Sequence, residues 1–286
     1  MTNVQEIALD DLPRWSNWPA RMLGLETFVP PARTTEKVAE EYGHEKWQFA
    51  LDAFEKSGRT LDATALRRMC YALGGDAPRA AVYRGKLVAA GTPTIMQWYD
   101  DLLAEWMGPS IGKSRTVVEL GAGFGHVLWS LRQRFAGKLY RGGEYTDSAV
   151  KLANLPYAHH PDISVEHVNF YDGDYPVLDK AEGPVVVLTS QAIEQIPDCR
   201  CIIDTLARHK SKIAAVFHIE PAYDLQTPTT LIGQMRRRYL EINDYNRNLF
   251  GVLKSRADIH VVRLEQDVIG WNPFNCLGMV HWEFVK

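Results

Sequence analysis

The sequence predicts an α/β fold in which a mainly parallel sheet in the C-terminal part of the chain lies under an N-terminal helical cap. Three observations make that prediction. After about residue 112, short β-branched runs alternate with helical patterns, which implies right-handed crossovers and strands covered on both faces. One of these runs ends in three alternate glycines, Gly121, Gly123 and Gly125. Before residue 112 the apolar residues recur at helical spacing and little reads as a strand. The expected division is a helical cap over 1–112 and a sheet domain over 113–286.

The elements follow in order. Thr35 and Glu36 open a helical stretch that runs to about Lys56, and a second helix from Thr60 to Leu73 stops at Gly74 and Gly75. A third spans Thr94 to Met107. Between them, Asp76 to Pro93 reads as a loop or as two short extended pieces around Tyr83 to Gly85. Arg115 to Leu120 is the first strand of the sheet domain and His126 to Phe135 its helix. Leu139 to Glu144 follows with a helix from Asp147 to about Leu155. Ile163 to Val168, Pro184 to Leu188 and Ile213 to His218 are further strands, with a helix from Asp198 to Arg208 between the last two. Thr229 to Phe250 reads as one long helix. Ile259 to Leu264 and Val280 to Val285 form a closing antiparallel pair around a turn near Asn272 to Asn275. There is no internal repeat.

Composition narrows the function classes. With 286 residues, 46% apolar and 23% charged, the chain can bury a substantial core, and disorder, collagen and coiled coil are excluded. The 32 Lys plus Arg against 35 Asp plus Glu give a formal charge of -3, so no global field gathers phosphate backbones and no nucleic-acid partner is expected. Cys70, Cys199, Cys201 and Cys276 are too scattered for a disulfide framework, and the spacing of Cys199 and Cys201 is too short for a zinc knuckle. His159 and His160 lack a partner set, so no metal is expected. Acidic residues stand where a signal peptide needs a basic flank, and no apolar run is long enough to span a bilayer. A cytoplasmic chain with no membrane partner is the expectation.

The most informative stretch is Val117 to His126, where a buried strand runs into the glycines and then a helix. Alternate glycines let the backbone turn sharply and approach a flat ligand at the C-terminal edge of a sheet. A dinucleotide fingerprint needs a third glycine three positions after the second, where His126 stands. Glu119, two residues before the first glycine, would repel pyrophosphate and welcome a cation such as an ammonium or sulfonium.

The string E-L-G-A-G-F-G from Glu119, with Glu144 ending the next strand, resembles the first two motifs of class I S-adenosylmethionine-dependent methyltransferases. The resemblance covers about residues 113 to 286, and the order of elements agrees with that family's Rossmann-like sheet, mostly parallel with an antiparallel last strand. It implies S-adenosyl-L-methionine as cofactor. Gly121, Gly123 and Gly125 would pack under its amino-acid end, with Glu119 near the methionyl ammonium, directly or through water. Glu144 would accept both ribose hydroxyls, a task suited to a group with two oxygens. Asn169 would accept from the adenine amine with Phe170 against the ring, unless the frame slips to Asp172. Tyr145 packs near the ribose or adenine, or is simply the aromatic at the start of a helix. Leu188 to Pro197, with Ser190 as a cofactor contact, resembles the motif lining the bottom of the transfer site.

A sulfonium carries its own leaving group, so the protein needs mainly to align the acceptor and leave it a free lone pair. Alternation places His218 and Glu220 on one side of the last parallel strand, near the cofactor mouth. There His218 is a candidate base and Glu220 a candidate holder of a substrate ammonium; the other readings are a structural histidine and a loop anchor. Gln191 and Glu194 either line the acceptor site or cap the next helix. Trp15, Trp18, Trp47, Trp98, Tyr99 and Trp106 give a helical lid large flat surfaces, most of them core. Arg236 to Arg238 reach a substrate anion or form a solvated face.

The expected function is methylation of an O or N atom of a small metabolite in biosynthesis. The chain has Thr189-Ser190-Gln191 where a base methyltransferase carries an N/D-P-P-Y/F motif. Alternatives keep the fold: cyclisation of the cofactor to azetidine-2-carboxylate plus methylthioadenosine, aminocarboxypropyl transfer, or an inactive scaffold. A nicotinamide oxidoreductase is more distant. The oligomeric state, a homodimer included, is not legible.

Overall fold

The β-branched runs pair into one ten-stranded sheet in a computed structural model that describes residues 4–30, 33–71, 75 and 77–285. The cap contributes β1 (Gln5–Glu6), α1 (Trp18–Met22), α2 (Thr35–Ala39), a π-helical segment Glu40–Trp47, α3 (Gln48–Lys56) and α4 (Ala63–Tyr71). A hairpin of β2 (Arg79–Tyr83) and β3 (Lys86–Ala90) and the long α5 (Thr92–Lys113) complete it. Then come β4 (Thr116–Leu120), α6 (His126–Arg134), β5 (Leu139–Glu144), α7 (Asp147–Asn154), β6 (Ile163–His167), α8 (Pro176–Asp179) and β7 (Val185–Ser190). The chain closes with α9 (Arg200–Arg208), β8 (Ile213–Glu220), α10 (Leu231–Ile242), α11 (Leu249–Ser255), β9 (Ile259–Gly270) and β10 (Leu277–Phe284).

The strand order is β1-β3-β2-β9-β10-β8-β7-β4-β5-β6. β4 lies between β5 and β7, β6 extends one side and β8 the other, all parallel. β10 returns antiparallel beside β8. The mostly parallel sheet with an antiparallel last strand is therefore the α/β architecture that the alternating pattern predicts. The chain runs from β4 out to β5 and β6 on one side and then crosses back to β7 on the other side of β4. That makes a crevice at their C-terminal ends, where open sheets hold ligands.

β4 is buried along its whole length because both faces are covered. Val117 joins the apolar core that includes Phe124, Leu128 and α5, while Val118 and Leu120 join the opposite core around Ile202, Leu206 and Trp282. Period-two alternation divides the strand between the two layers.

Several expectations change. Of the two readings of Asp76 to Pro93, the pair of extended pieces around Tyr83 to Gly85 holds over the described residues. Arg84 and Gly85, with φ of 47° and 78°, make a tight turn joining β2 to β3, and β2 pairs with β9, so the cap extends the sheet across residue 112. Alanines at 80, 81, 89 and 90 hide the strand pattern by filling buried positions with weak β-formers. The second helix is shorter than expected, starting at Ala63, and Leu73, Gly74 and Asp76 lie outside the described residues. The third helix is longer, from Thr92 to Lys113.

The long helix from Thr229 to Phe250 is instead two helices, α10 and α11. The first stops where Asp244 turns left-handed (φ 51°) and the Tyr245 N–H donates to the Leu240 carbonyl (3.0 Å). Asn246, 3% exposed, starts the second: its amide oxygen accepts the N–H groups of Asn248 (3.1 Å) and Leu249 (3.0 Å), and its nitrogen donates to the Ile196 carbonyl (2.9 Å). A side chain that offers the backbone these partners competes with helix continuation. Replacing Asn246 by Leu strands three backbone groups, those of Leu249 and Ile196 buried and that of Asn248 partly so. The expected loss is about 3 kcal/mol in urea unfolding, since each unmade buried bond costs about 1–3 kcal/mol. A loss below about 0.5 kcal/mol would contradict this account of the break.

Candidate functional site

The site is built where β4 ends. Gly121 and Gly123 take φ of 76° and 53°, and the N–H groups of Gly121 and Ala122 both donate to the Gly143 carbonyl, at 2.7 and 3.1 Å. A Cβ at Gly121 would lie 2.3 Å from the Ala192 Cβ, and one at Gly123 2.8 Å from the Trp47 ring. Both positions thus need glycine for backbone conformation and for close approach. Gly125 caps α6 beside Tyr157 and does not line the cleft.

The cleft encloses about 1080 Å³, its open mouth included. Glu119, Gly121, Gly123, Glu144, Tyr145, Asn169, Phe170, Ser190 and Gln191 all line it, although they come from four separate strand ends. His218 and Glu220 do not.

Glu119 is 1% exposed, and its Oε2 has no partner. Burial pushes this carboxyl well above the usual range, with the Glu144 charge adding to the effect. An orphaned acid oxygen on a cleft wall fits a ligand that brings N–H donors or positive charge. Glu144 is more fully occupied. Oε2 accepts the Gly123 N–H (2.8 Å), while Oε1 accepts the N–H and hydroxyl of Thr146 (2.9 and 2.8 Å). Of roughly four acceptor positions on a carboxylate, one remains.

The Asn169 oxygen accepts the Tyr171 N–H (3.1 Å) and its nitrogen donates to Asp172 (2.9 Å), so the side chain is held in place with one acceptor position spare. The Ser190 hydroxyl pairs with that of Tyr99. Gln191 has φ of 53°, and its N–H donates to the Ile219 carbonyl (3.1 Å). A left-handed non-glycine residue costs on the order of 1–3 kcal/mol and clusters at functional positions.

His218 and Glu220 depart from the expectation that they reach the cofactor mouth. β8 runs on to Glu220, and β10 pairs with it, setting Val280 opposite His218 and Gly278 opposite Glu220. His218 is fully buried. Its Nδ1 pairs with the Thr189 hydroxyl (2.9 Å), Nε2 has no partner, and burial pulls its pKa down to about 3. Such an imidazole is neutral at working pH and does not line the cleft. Glu220 is a loop anchor: Oε1 accepts the N–H groups of Ala192 (3.1 Å) and Ile193 (3.2 Å), and Oε2 that of Glu194 (3.3 Å). It fixes the wall that carries Gln191, Glu194 and Gln195.

On that wall and the cap, Glu194 and Trp47 reach the cleft, as one of the two readings of each held, beside residues that sequence reasoning left aside. Glu194 lines the cleft with Oε2 unpartnered, its carboxyl raised to about 8 by burial and the nearby Glu220. Gln195 donates to the Tyr42 hydroxyl (2.9 Å) and to Glu194 (2.8 Å), leaving its own oxygen unpartnered. From the cap come Arg33, Tyr42, Lys46, Trp47 and Tyr71, and from the start of α6, His126. Arg33 is committed to Glu41 (2.6 Å) and the Asn243 carbonyl (3.2 Å). No local signal marks Tyr42 and Lys46, because the π-helical segment shifts the face that a 3.6-residue period would assign. Of the six aromatic lid candidates only Trp47 lines the cleft, and Trp18 packs on Tyr239 (4.4 Å). Arg236 is buried and paired with Asp267 (2.6 Å), away from the site. Among the described residues no group of acids, histidines and cysteines suits a metal, and no helix is long and apolar enough to cross a membrane.

No family model matches the chain. Over 104 residues it is 36% identical to the protein-lysine N-methyltransferase EFM4 of Saccharomyces cerevisiae, a match spanning 32% of this chain and 45% of that protein. The chain thus spans less than half of that relative's length. Among solved structures it is similar to the magnesium protoporphyrin IX methyltransferase of Synechocystis PCC 6803 with bound SAH (14% identity, 68% of this chain and 84% of the other, TM-score 0.47). It is likewise similar to an O-methyltransferase from Bacillus cereus in complex with SAH (10% identity, 87% and 100% coverage, TM-score 0.46).

The raised Glu194 and Glu220 carboxyls set a pH dependence. Folding holds them protonated above the ordinary 4.5, so the unfolded chain releases protons and stability falls as pH rises toward about 8 for Glu194 and about 7 for Glu220. His218 acts oppositely, but only below about pH 6.5, where the unfolded imidazole gains a proton. Urea denaturation between pH 6.5 and 8.5 is therefore expected to show declining stability, and Glu194→Gln a shallower decline. Equal slopes would place the Glu194 titration elsewhere.

Proposed function

We propose that the chain is an S-adenosylmethionine-dependent methyltransferase acting on an O or N atom of a small metabolite. The observation that carries this reading is one cleft with the unpartnered buried acid Glu119 and the partly open Glu144 on either side of the glycine turn. The cofactor would supply a methyl carbon activated by the sulfonium and a neutral thioether as leaving group. Glu119 receives its ammonium, and Oε2 of Glu144 accepts one ribose hydroxyl. The spare acceptor position of Asn169 suits the adenine amine, with Phe170 and Tyr145 as flanking rings. Trp47, against Gly123, keeps water from the glycine turn. Gln191 and Gln195 hold the acceptor. Glu194, titrating at about 8, is suited to receive the proton that the acceptor's O–H or N–H gives up.

A small acceptor is supported by the cap, which contributes one wall of the cleft and narrows it. The yeast relative is a protein-lysine N-methyltransferase, which supports methyl transfer and leaves the acceptor class to this chain's own walls. One observation favours a second reading, cyclisation of the cofactor on itself. The carboxyl of Glu119 is raised and orphaned at the amino-acid end, where it could take a proton from the ammonium so that the amine displaces methylthioadenosine.

Calorimetry with S-adenosylmethionine is expected to show binding, weakened about tenfold to a hundredfold in Glu144→Ala. Absence of binding to the wild-type chain would favour an inactive scaffold. Mass spectrometry then separates the two reactions. Methyl transfer waits for an added metabolite and yields S-adenosylhomocysteine, whereas cyclisation releases methylthioadenosine with no acceptor present.

A further inference from the structure

The π-helical segment carries Lys46 onto the wall of the cleft, and no carboxylate of a described residue lies within ion-pair distance of its ammonium. Three rings hold it instead: the ammonium lies 4.5 Å from the Trp47 centroid, 5.0 Å from that of Tyr42 and 5.3 Å from that of Tyr71. Cation-π contact positions a charge but leaves its N–H donors unused. Around Lys46 stand Glu41, Glu144 and Glu194, acting at longer range, and the half-buried Cys70 thiol. A partly buried cation without a direct anionic partner is costly unless a ligand supplies one.

Its location fixes which end of the ligand that would be. The Trp47 ring lies against Gly123, and the Tyr71 ring lies 5.0 Å from His126, the first residue of α6. Lys46 therefore stands over the glycine turn, at the same end of the cleft as the orphaned oxygen of Glu119. A site with an acid needing a donor and a cation needing an acceptor, both close to one glycine turn, is complementary to an amino-acid zwitterion.

We infer that Lys46 binds the carboxylate of the cofactor's amino-acid arm, so that the cap and the sheet each grip one charge of that arm. This rests on the cofactor reading above and holds for either reaction. It makes Lys46 a specificity-determining residue: a ligand with the same adenosine, sulfonium and ammonium but no carboxylate should lose the benefit.

Calorimetry with S-adenosylmethionine and its decarboxylated analogue, on wild type, Lys46→Met and Lys46→Arg, forms a closed cycle. Wild type is expected to prefer the carboxylated ligand by about tenfold or more, the range of a charge-assisted hydrogen bond. In Lys46→Met that preference should fall to within about threefold of unity, with affinity for the analogue little changed, and Lys46→Arg should restore part of it. Two results overturn the assignment: a wild type that binds both ligands equally, which needs no variant, or a folded Lys46→Met that keeps the preference or loses affinity for both ligands alike. A wild type that binds neither ligand overturns the cofactor reading itself, a distinguishable failure.

Discussion

One carboxylate, that of Glu144, ties the site together. It accepts the N–H of Gly123 from the glycine turn and both donors of Thr146 from the start of α7. The same residue ends β5, so the position of the sheet edge, the shape of the turn and the mouth of the cleft are set by a single buried acid. Replacing it therefore loosens the turn as well as removing an acceptor for the ligand.

A second acid does comparable work out of sight. Glu220 gathers three backbone N–H groups from the segment after β7 and thereby presents Gln191, Glu194 and Gln195 to the cleft. Its influence on the chemistry runs through what it holds, while Glu194 and Gln195 carry unpartnered oxygens. Rigid support behind and unsatisfied groups in front is the arrangement expected of a preorganised polar site.

How much was legible follows from how local each signal is. The strand, glycine turn and helix from Val117 to Arg134 are contiguous, so composition and order announce them, and Glu144 is reached by counting one unit onward. Asn169, Phe170, Ser190 and Gln191 fall at strand ends and could be placed by topology. His218 and Glu220 could not, because the covering strand β10 comes from residues 277–284, and nothing near His218 declares that it will be sealed. The β2–β3 hairpin was legible only as one of two readings, because the burial of its alanines is decided by neighbours rather than by propensity. The restart of the chain as α11 depends on Asn246 reaching the Ile196 carbonyl, fifty residues away in sequence.

The hydrogen-bond pattern of the segment 40–47 differs from that of the helices on either side. Successive α-helical residues are separated by about 100°, so deletion of one residue in this stretch would swing everything upstream relative to α3 by that angle. Tyr42 would then face another neighbour although no contact residue had been exchanged, and the wide turn works as a spacer that meters how far the first helix leans over the crevice. Evolution could retune the occupant of such a pocket by length alone, leaving the β-scaffold beneath untouched.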